Sequence, residues 1–373
     1  MQIRQVILKG VNNFEDFSHV FEDEWTKTVP DSVLLMGPNG GGKTTLLKSV
    51  ANLWHNLSVL LERRNFTTFK PHSIFHRTCF AAIEIESFLP EFPESLWICI
   101  GKKEDMDYFL KKNKSGYKIA IIWLSLIADY IIQASLKPNT KTGKKKNFKI
   151  KYIYPGTSEF EKAEEEPLWI QELGEQFIKN KLGAISDLPN IVFLESEGRY
   201  LPETEEEEYS VIPEREIFNW LARYTPTQRR EGSIQNYLFT LKAVDEEKYD
   251  RIVSRANRFL TDKKIIGFDR KTADLMIKSI SGQTHPVHLL SSGEKQVLLM
   301  IAFIERELRT GGIVLIDEPD LHLHVSLGTA FVSYLKQMIA EKKGQLIIAS
   351  HAPELWKQFS DAQKVRLPGW SDE

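Results

Sequence analysis

The sequence predicts an α/β fold: a mixed sheet flanked by helices, with a small antiparallel lobe and a large, mostly helical insertion. Three observations predict it. Ser32 to Met36 is an apolar run that passes through a glycine-rich turn into a leucine-spaced stretch, Ile313 to Asp320 is a buried-strand run that ends in two carboxylates, and Gln345 to Leu355 holds a third strand, ending at Ser350 and His351. Short apolar runs bounded by turn signals read as strands buried on both faces, and helical spacing beside them reads as the layer that covers the sheet.

The elements follow in chain order. Ile3 to Leu8 and Phe14 to Phe21 are apolar runs of strand length ahead of Ser32. Thr45 to Leu61 carries Leu46, Leu47, Val50, Leu53, Leu57, Leu60 and Leu61 on one helical face. Phe80 to Phe88 partly alternates and Leu96 to Ile100 is a further strand, which together predict the antiparallel lobe. Residues 1–100 form one half of the head and 101–187 an insertion, where a lysine-rich stretch (Lys137 to Lys149) and an acidic one (Glu159 to Pro167) read as solvated loops. Ile119 to Ile132 reads as a buried strand leading into a helix. It is short for a bilayer span and carries Asp129, so no membrane partner is expected. Residues 188–264 hold a core strand, Asn190 to Glu195, and a helical insertion over Glu216 to Leu260, in which Ile252, Val253, Ala256, Phe259 and Leu260 share a face. Residues 265–373 complete the head.

Composition sets limits. A chain of 373 residues, 42% hydrophobic, can bury more than one minimal core, and a net charge of -2 gives no global attraction to nucleic acid or anionic lipid. Cys79 and Cys99 form no metal or disulfide pattern, and the opening MQIRQVILKGVNNF lacks the apolar core of a signal peptide, so a cytoplasmic location is expected.

Four motifs carry chemistry. Gly37, Pro38, Asn39, Gly40, Gly41, Gly42, Lys43, Thr44 and Thr45 fit GxxxxGK[ST] between a strand and a helix, the context in which backbone N–H groups and a helix N-terminus cradle phosphates. Lys43 is expected to reach the β- and γ-phosphates of ATP and Thr44 to ligate Mg²⁺. Ile313 to Asp320 is a strand ending in two carboxylates: Asp317 is expected to hold Mg²⁺ and Glu318 to act as the base on the attacking water. Leu289 to Gln296 (LLSSGEKQ) opens an apolar helix, with Ser291, Ser292, Gly293 and Glu294 at its start. The fourth, Gln345 to Leu355, ends its strand at Ser350 and His351.

In chain order the motifs resemble those of the ABC-type P-loop ATPases: Walker A from Gly37, signature from Leu289, Walker B from Ile313 and switch histidine at His351. The Leu289 to Gln296 segment resembles LSGGQ, from which Ser292 and Glu294 depart. That resemblance implies that Ser291 and Gly293 meet the ATP of an opposite protomer, that His351 contacts the γ-phosphate, and that two heads sandwich ATP as a homodimer or higher oligomer. Glu318 to Gly328 (EPDLHLHVSLG) is similar to the EPExHLHP pattern of the OLD, RecF and related AAA-type lineage, which places His322 and His324 in a D-loop rather than a metal pair. No glutamine follows the P-loop until Gln133, so a Q-loop residue is not identified.

The resemblance implies a stand-alone ATPase of prokaryotic antiviral defence, controlling a separate effector such as a nuclease or toxin. About 20 residues follow His351 and lack a TOPRIM nuclease pattern. A RecF- or SMC-like repair ATPase is the alternative and a transporter subunit the third reading; the chain has no heptad run for a coiled-coil arm. DNA is a candidate partner through Arg251, Arg255 and Arg258, which share a helix face near Lys263 and Lys264, or through the Lys137 to Lys149 stretch. Glu195, Glu197 and Arg199 follow a strand and read either as facing the nucleotide or a partner or as a solvated strand end, and Phe14 reads as core or as an adenine contact.

Overall fold

A computed structural model describes residues 1–63, 73–75, 78–88, 95–112, 119–126, 148–155, 160–163, 173–176, 178–179, 188–202, 218–227 and 232–368. The chain divides into two compact units, residues 1–29 with 40–179, and residues 30–39 with 180–373.

The first unit is built on a seven-stranded sheet of order β2-β1-β4-β5-β6-β7-β8. Its strands are β1 (Gln2–Val11), β2 (Phe14–Val20), β4 (Phe80–Glu86), β5 (Ser95–Gly101), β6 (Ile119–Leu126), β7 (Phe148–Pro155) and β8 (Phe160–Ala163). The β1–β2 hairpin turns at Asn12, whose φ of 46° is a left-handed conformation that asparagine tolerates. All pairings are antiparallel except β5 with β6, so this is the mixed sheet. Helix α1 (Lys43–Arg63) packs on β4 and β5, and its fully buried Trp54 meets Phe88 edge to face at 5.6 Å. Helix α2 (Lys103–Lys112) buries Met106 and Phe109 against Phe80 and Trp97.

Among the described residues of the expected insertion, 101–187, are α2, helical residues at 173–176 and 178–179, and three strands. Phe148 and Lys149, from the lysine-rich stretch, begin β7, and Phe160–Ala163, from the acidic stretch, form β8. The remainder of both stretches, residues 127–132 of the apolar run and residues 203–209 of a second acidic run lie outside the described residues. Phe148, Ile150 and Tyr152 alternate with Lys149 and Lys151, a period of two that charge density had masked.

The second unit holds a six-stranded sheet, parallel throughout, of order β10-β9-β14-β15-β3-β16. Its strands are β3 (Ser32–Met36), β9 (Ile191–Leu194), β10 (Leu221–Arg223), β14 (Ile313–Asp317), β15 (Gln345–Ala349) and β16 (Lys364–Arg366). Every residue of β3, β9, β14 and β15 is buried, as a parallel sheet covered on both faces requires. The covering layer includes α3 (Ile234–Val244), α4 (Glu246–Asn257), α5 (Ser292–Glu307) and α6 (Val325–Glu341), which share one apolar core. In that core Ile252, Ala256, Phe259 and Leu260 are buried with Val253 packed against them, the face expected from the sequence. The stretch expected to be helical from Glu216 also contributes β10, an edge strand pairing in parallel with β9. A three-stranded antiparallel sheet, β11 (Lys263–Phe268), β12 (Leu275–Ser279) and β13 (Thr284–Pro286), precedes α5. No helix among the described residues is long and apolar enough to cross a membrane.

Candidate functional site

Parallel sheets present ligand sites at the carboxyl ends of their strands. In the second unit register places Asp317 beside Ala349, Ala349 beside Leu35 and Ile316 beside Leu194. Hence the segments that begin at Gly37, Glu195, Glu318 and Ser350 all leave the sheet at one edge.

The glycine-rich loop starts there and continues into α1 in the first unit. Gly40 and Gly42 have φ of 78° and 94°. A Cβ on Gly42 would stand 2.6 Å from Phe14 Cζ, so glycine is required by contact as well as by backbone. Asn13 Nδ2 donates to Gly40 O at 2.5 Å. Phe14 is 2% exposed, which makes it packing for the loop and not an open adenine platform. Lys43 is buried at the first position of α1.

Asp317 is 1% exposed and accepts from Ser196 Oγ at 3.1 Å. Glu318 has φ of 49° and donates its N–H to Ala349 O at 2.8 Å. A left-handed non-glycine residue costs roughly 1–2 kcal/mol, strain that recurs where a side chain must be aimed. His351 Nδ1 lies 3.3 Å from Glu318 Oε1, with His351 half exposed and Glu318 mostly buried.

Arg199, left open between a nucleotide-facing residue and a solvated strand end, is neither: it is 3% exposed behind the carboxylates. Its Nη1 donates to Asp317 O at 2.8 Å, and its Nη2 to Glu318 O at 2.5 Å and Gln296 Oε1 at 3.4 Å. Burial pushes its pKa down to about 10, although Asp317, Asp320 and Glu318 pull it up. The guanidinium therefore ties the acidic turn to α5. The sequence signal, an arginine shortly after a core strand, was visible; its direction was not. Glu195 pairs with Arg223 at 3.3 Å.

Ser291 is the N-cap of α5 in a capping box with Glu294, whose carboxylate accepts from Ser291 N and Oγ, each at 2.9 Å. Lys263 Nζ donates to the same carboxylate at 2.8 and 3.0 Å. The departure from LSGGQ at Glu294 thus has a local cause: glutamate closes the box and pairs with Lys263. Burial pushes the Glu294 pKa up, but the bonds from Lys263 and Ser291 outweigh it and hold it below 4.5. A depressed carboxylate pKa contributes stability that is present above 4.5 and lost as pH falls through the folded value. Glu294→Gln is expected to cost about 1 kcal/mol at pH 7, and urea titrations of the two proteins should converge once pH falls through the folded value.

Gly293 faces the turn after Glu318. A Cβ there would stand 2.7 Å from His322 O and 2.9 Å from Leu323 Cδ2. Gly293→Ala should separate the start of α5 from this turn and destabilise by about 1–3 kcal/mol, read as a lower urea midpoint. His324 occupies the N-cap position of α6 without a side-chain capping bond, and its Nδ1 lies 3.0 Å from Ser326 Oγ. No cluster of three or more His, Cys, Asp or Glu that could hold a metal occurs among the described residues.

The structure divides the basic stripe. Arg255 is tied to Glu305 and to Glu341, and Lys263 to Glu294, whereas Arg251, Arg258 and Lys264 are exposed. The Lys137 to Lys149 stretch, apart from its last two residues, lies outside the described residues.

A parallel sheet that feeds a glycine-rich loop at one strand and carries adjacent carboxylates at another defines a P-loop ATPase. A family model described as the AAA ATPase domain matches residues 1–355, and the chain belongs to that family. Protein ea59 of Escherichia phage lambda is 38% identical over 87 residues, 21% of this chain, and the match spans only 17% of that protein. Among solved structures, an SmcHead bound to the C-winged helix domain of ScpA is similar at TM-score 0.41 and 14% identity, with 96% of this chain and 91% of that one covered. The SMC head domain from Thermotoga maritima follows at 0.38 and 14%, covering 96% and 92%. An Smc head from Pyrococcus furiosus, bound to the C-terminal domain of ScpA, stands at 0.41 and 10%, covering 95% and 91%.

Proposed function

We propose that the chain is an ATP-driven switch: two heads pair around ATP, hydrolysis parts them, and the paired state controls a separate effector protein in antiviral defence within the cytoplasm. The observation that carries the hydrolytic part is the meeting of Asp317, Glu318 and His351 at one sheet edge, with His351 Nδ1 3.3 Å from Glu318 Oε1.

The residues suit the substrate and its metal. Positive-φ glycines and the Phe14 packing behind Gly42 strip the loop to backbone, which is what close approach of phosphates needs. The Thr44 hydroxyl and the Asp317 carboxylate are hard oxygen donors of the kind Mg²⁺ takes. When bound, Mg²⁺ neutralises charge that develops on the phosphate oxygens. Lys43 holds the β- and γ-phosphates. Glu318 orients a water and takes its proton as the water oxygen attacks the γ-phosphorus; the bond to the bridging oxygen breaks, leaving ADP and phosphate. His351 steadies Glu318 and that water. Ser291, Ser292, Gly293 and Glu294 offer a helix N-terminus to the γ-phosphate of the opposite head.

ATP shifts the balance between open and closed heads only by its differential affinity for the closed pair. The effector then reads the closed pair, and DNA or a phage factor is the trigger. The test is oligomeric mass and turnover with and without ATP, beside Lys43→Ala. ATP-dependent doubling of mass in the parent, absent from the variant, is the expected result. A mass indifferent to ATP in an active enzyme would refute the paired-head reading.

A further inference from the structure

Outside the motif edge, the second unit carries an open pocket of about 350 Å³. Three helices build it. Helix α4 supplies Lys248, Arg251 and Arg255; the end of α5 and the residues after it supply Arg306 and Arg309; Lys342 follows the end of α6. Glu305 and Glu341 are its two carboxylates, so six cationic side chains face two anionic ones in a chain whose net charge is -2.

The carboxylates are already engaged. Glu305 pairs with Arg255 and stands 3.7 Å from Lys342, and Glu341 pairs with Arg255 at 2.8 Å. Arg306 is matched from outside the pocket by Glu307 at 2.8 Å. Lys248 and Arg251 have no ion pair among the described residues. The crowding registers on Lys342: burial pushes its pKa down, Glu305 pulls it up, and Lys248, Arg251 and Arg255 add repulsion that lowers it further. A concentration of like charge with its counter-ions spent is stabilised by an added anion.

The pocket is distinct from the ATPase edge. It lies where α5 and α6 end, while Gly293 and His324 mark where they begin. Arg309 N donates to Asn190 Oδ1 at 3.0 Å, and Asn190 immediately precedes β9. The pocket therefore sits at the amino ends of the parallel strands, and the five residues of β14, roughly 13–17 Å of strand, separate that end from Asp317.

The lining also limits the ligand. Its apolar members are Leu308 and Met338, with no aromatic ring to stack on a base. Arginine forks suit tetrahedral oxyanions, and the volume accommodates more than one such group.

We propose that this pocket is a second anion site, at the end of the sheet opposite the ATPase motifs, which takes phosphate groups, whether of a duplex backbone or of a free oligophosphate, without reading bases.

The test compares two charge-matched variants in the full chain: Lys248→Ala with Arg251→Ala in the pocket, and Arg258→Ala with Lys264→Ala, exposed and outside it. Both are made in a Lys43→Ala background, so that the P-loop does not take the probe, and both are checked for an unchanged thermal midpoint. The probes are a short labelled duplex DNA and inorganic tripolyphosphate. A loss of about tenfold in duplex affinity for the pocket variant only, with a salt slope shallower by about two, assigns the site to nucleic-acid backbone. A tripolyphosphate loss of about tenfold for the pocket variant only, without a duplex effect, assigns it to free oligophosphates. Equal losses in both variants, no loss in either, or equal displacement of the probes by polyglutamate of matched charge would overturn the proposal. ATP-dependent pairing of the parent protein is read separately, so failure here leaves the switch reading standing.

Discussion

Glu318→Gln is expected to reduce ATP turnover by about 10²- to 10⁴-fold, the range removed with a general base, while ATP binding survives and the ATP-bound pair accumulates. The expectation comes from the turn. Glu318 is held in a left-handed conformation, its N–H donates to Ala349 O at 2.8 Å, and its carboxylate stands 3.3 Å from His351 Nδ1. Glutamine keeps that shape and the stability it brings, but it cannot accept the proton of the attacking water. Lys43, Thr44 and Asp317, the residues proposed to hold the phosphates and Mg²⁺, are untouched, so nucleotide binding is expected to survive. Phosphate release measured in single turnover, together with light-scattering mass, separates the two halves of the idea. Turnover at the parent rate would remove Glu318 from the role of base, whereas lost turnover without a trapped pair would remove hydrolysis as the step that parts the heads.

Arg199→Ala has the next largest expected effect. The side chain is 3% exposed and its guanidinium spans Asp317 O, Glu318 O and Gln296 Oε1. Removing a buried charged donor strands its acceptors and costs on the order of 3–5 kcal/mol. Relief of the burial that depresses the Arg199 pKa returns part of this, so about 3 kcal/mol is expected. If Arg199 positions the turn, kcat should fall at least tenfold while KM for ATP changes little, because its bonds run to Asp317 O, Glu318 O and Gln296 Oε1. Arg199→Lys keeps the charge but not the planar fork, and should recover stability more fully than kcat. A variant that melts early yet turns over at the parent rate when folded would reduce Arg199 to a structural role.

The motif strands were legible because each reports itself. Ser32 to Met36, Ile313 to Asp317 and Gln345 to Ala349 are apolar without alternation, and their residues are all buried in one parallel sheet. The helix after Lys43 and the cap at Ser291 were legible for the same reason, since spacing and capping are local. Where the lysine-rich and acidic stretches are described, at Phe148, Lys149 and Phe160–Ala163, they form strand, because charge density is a poorer guide than period. Phe148 to Tyr152 alternates, and pairing with β6 supplies the rest of the stability of β7.

By itself, then, the sequence determined the class of fold, the order of the motifs and the chemical type of each candidate residue, since all three depend on neighbours along the chain. Tertiary structure decided the assignments that depend on direction. Arg199 turns inward to tie Walker B to α5, Glu294 answers Lys263, Arg255 is consumed by Glu305 and Glu341, and Lys248 and Arg251 are left to charge a pocket with Lys342. An arginine on a helix or after a strand has the same local propensity whether it meets a carboxylate, a carbonyl or water. Only the packing of distant segments sets its partner, and a partner worth a few kcal/mol separates a structural tie from a charge free to bind.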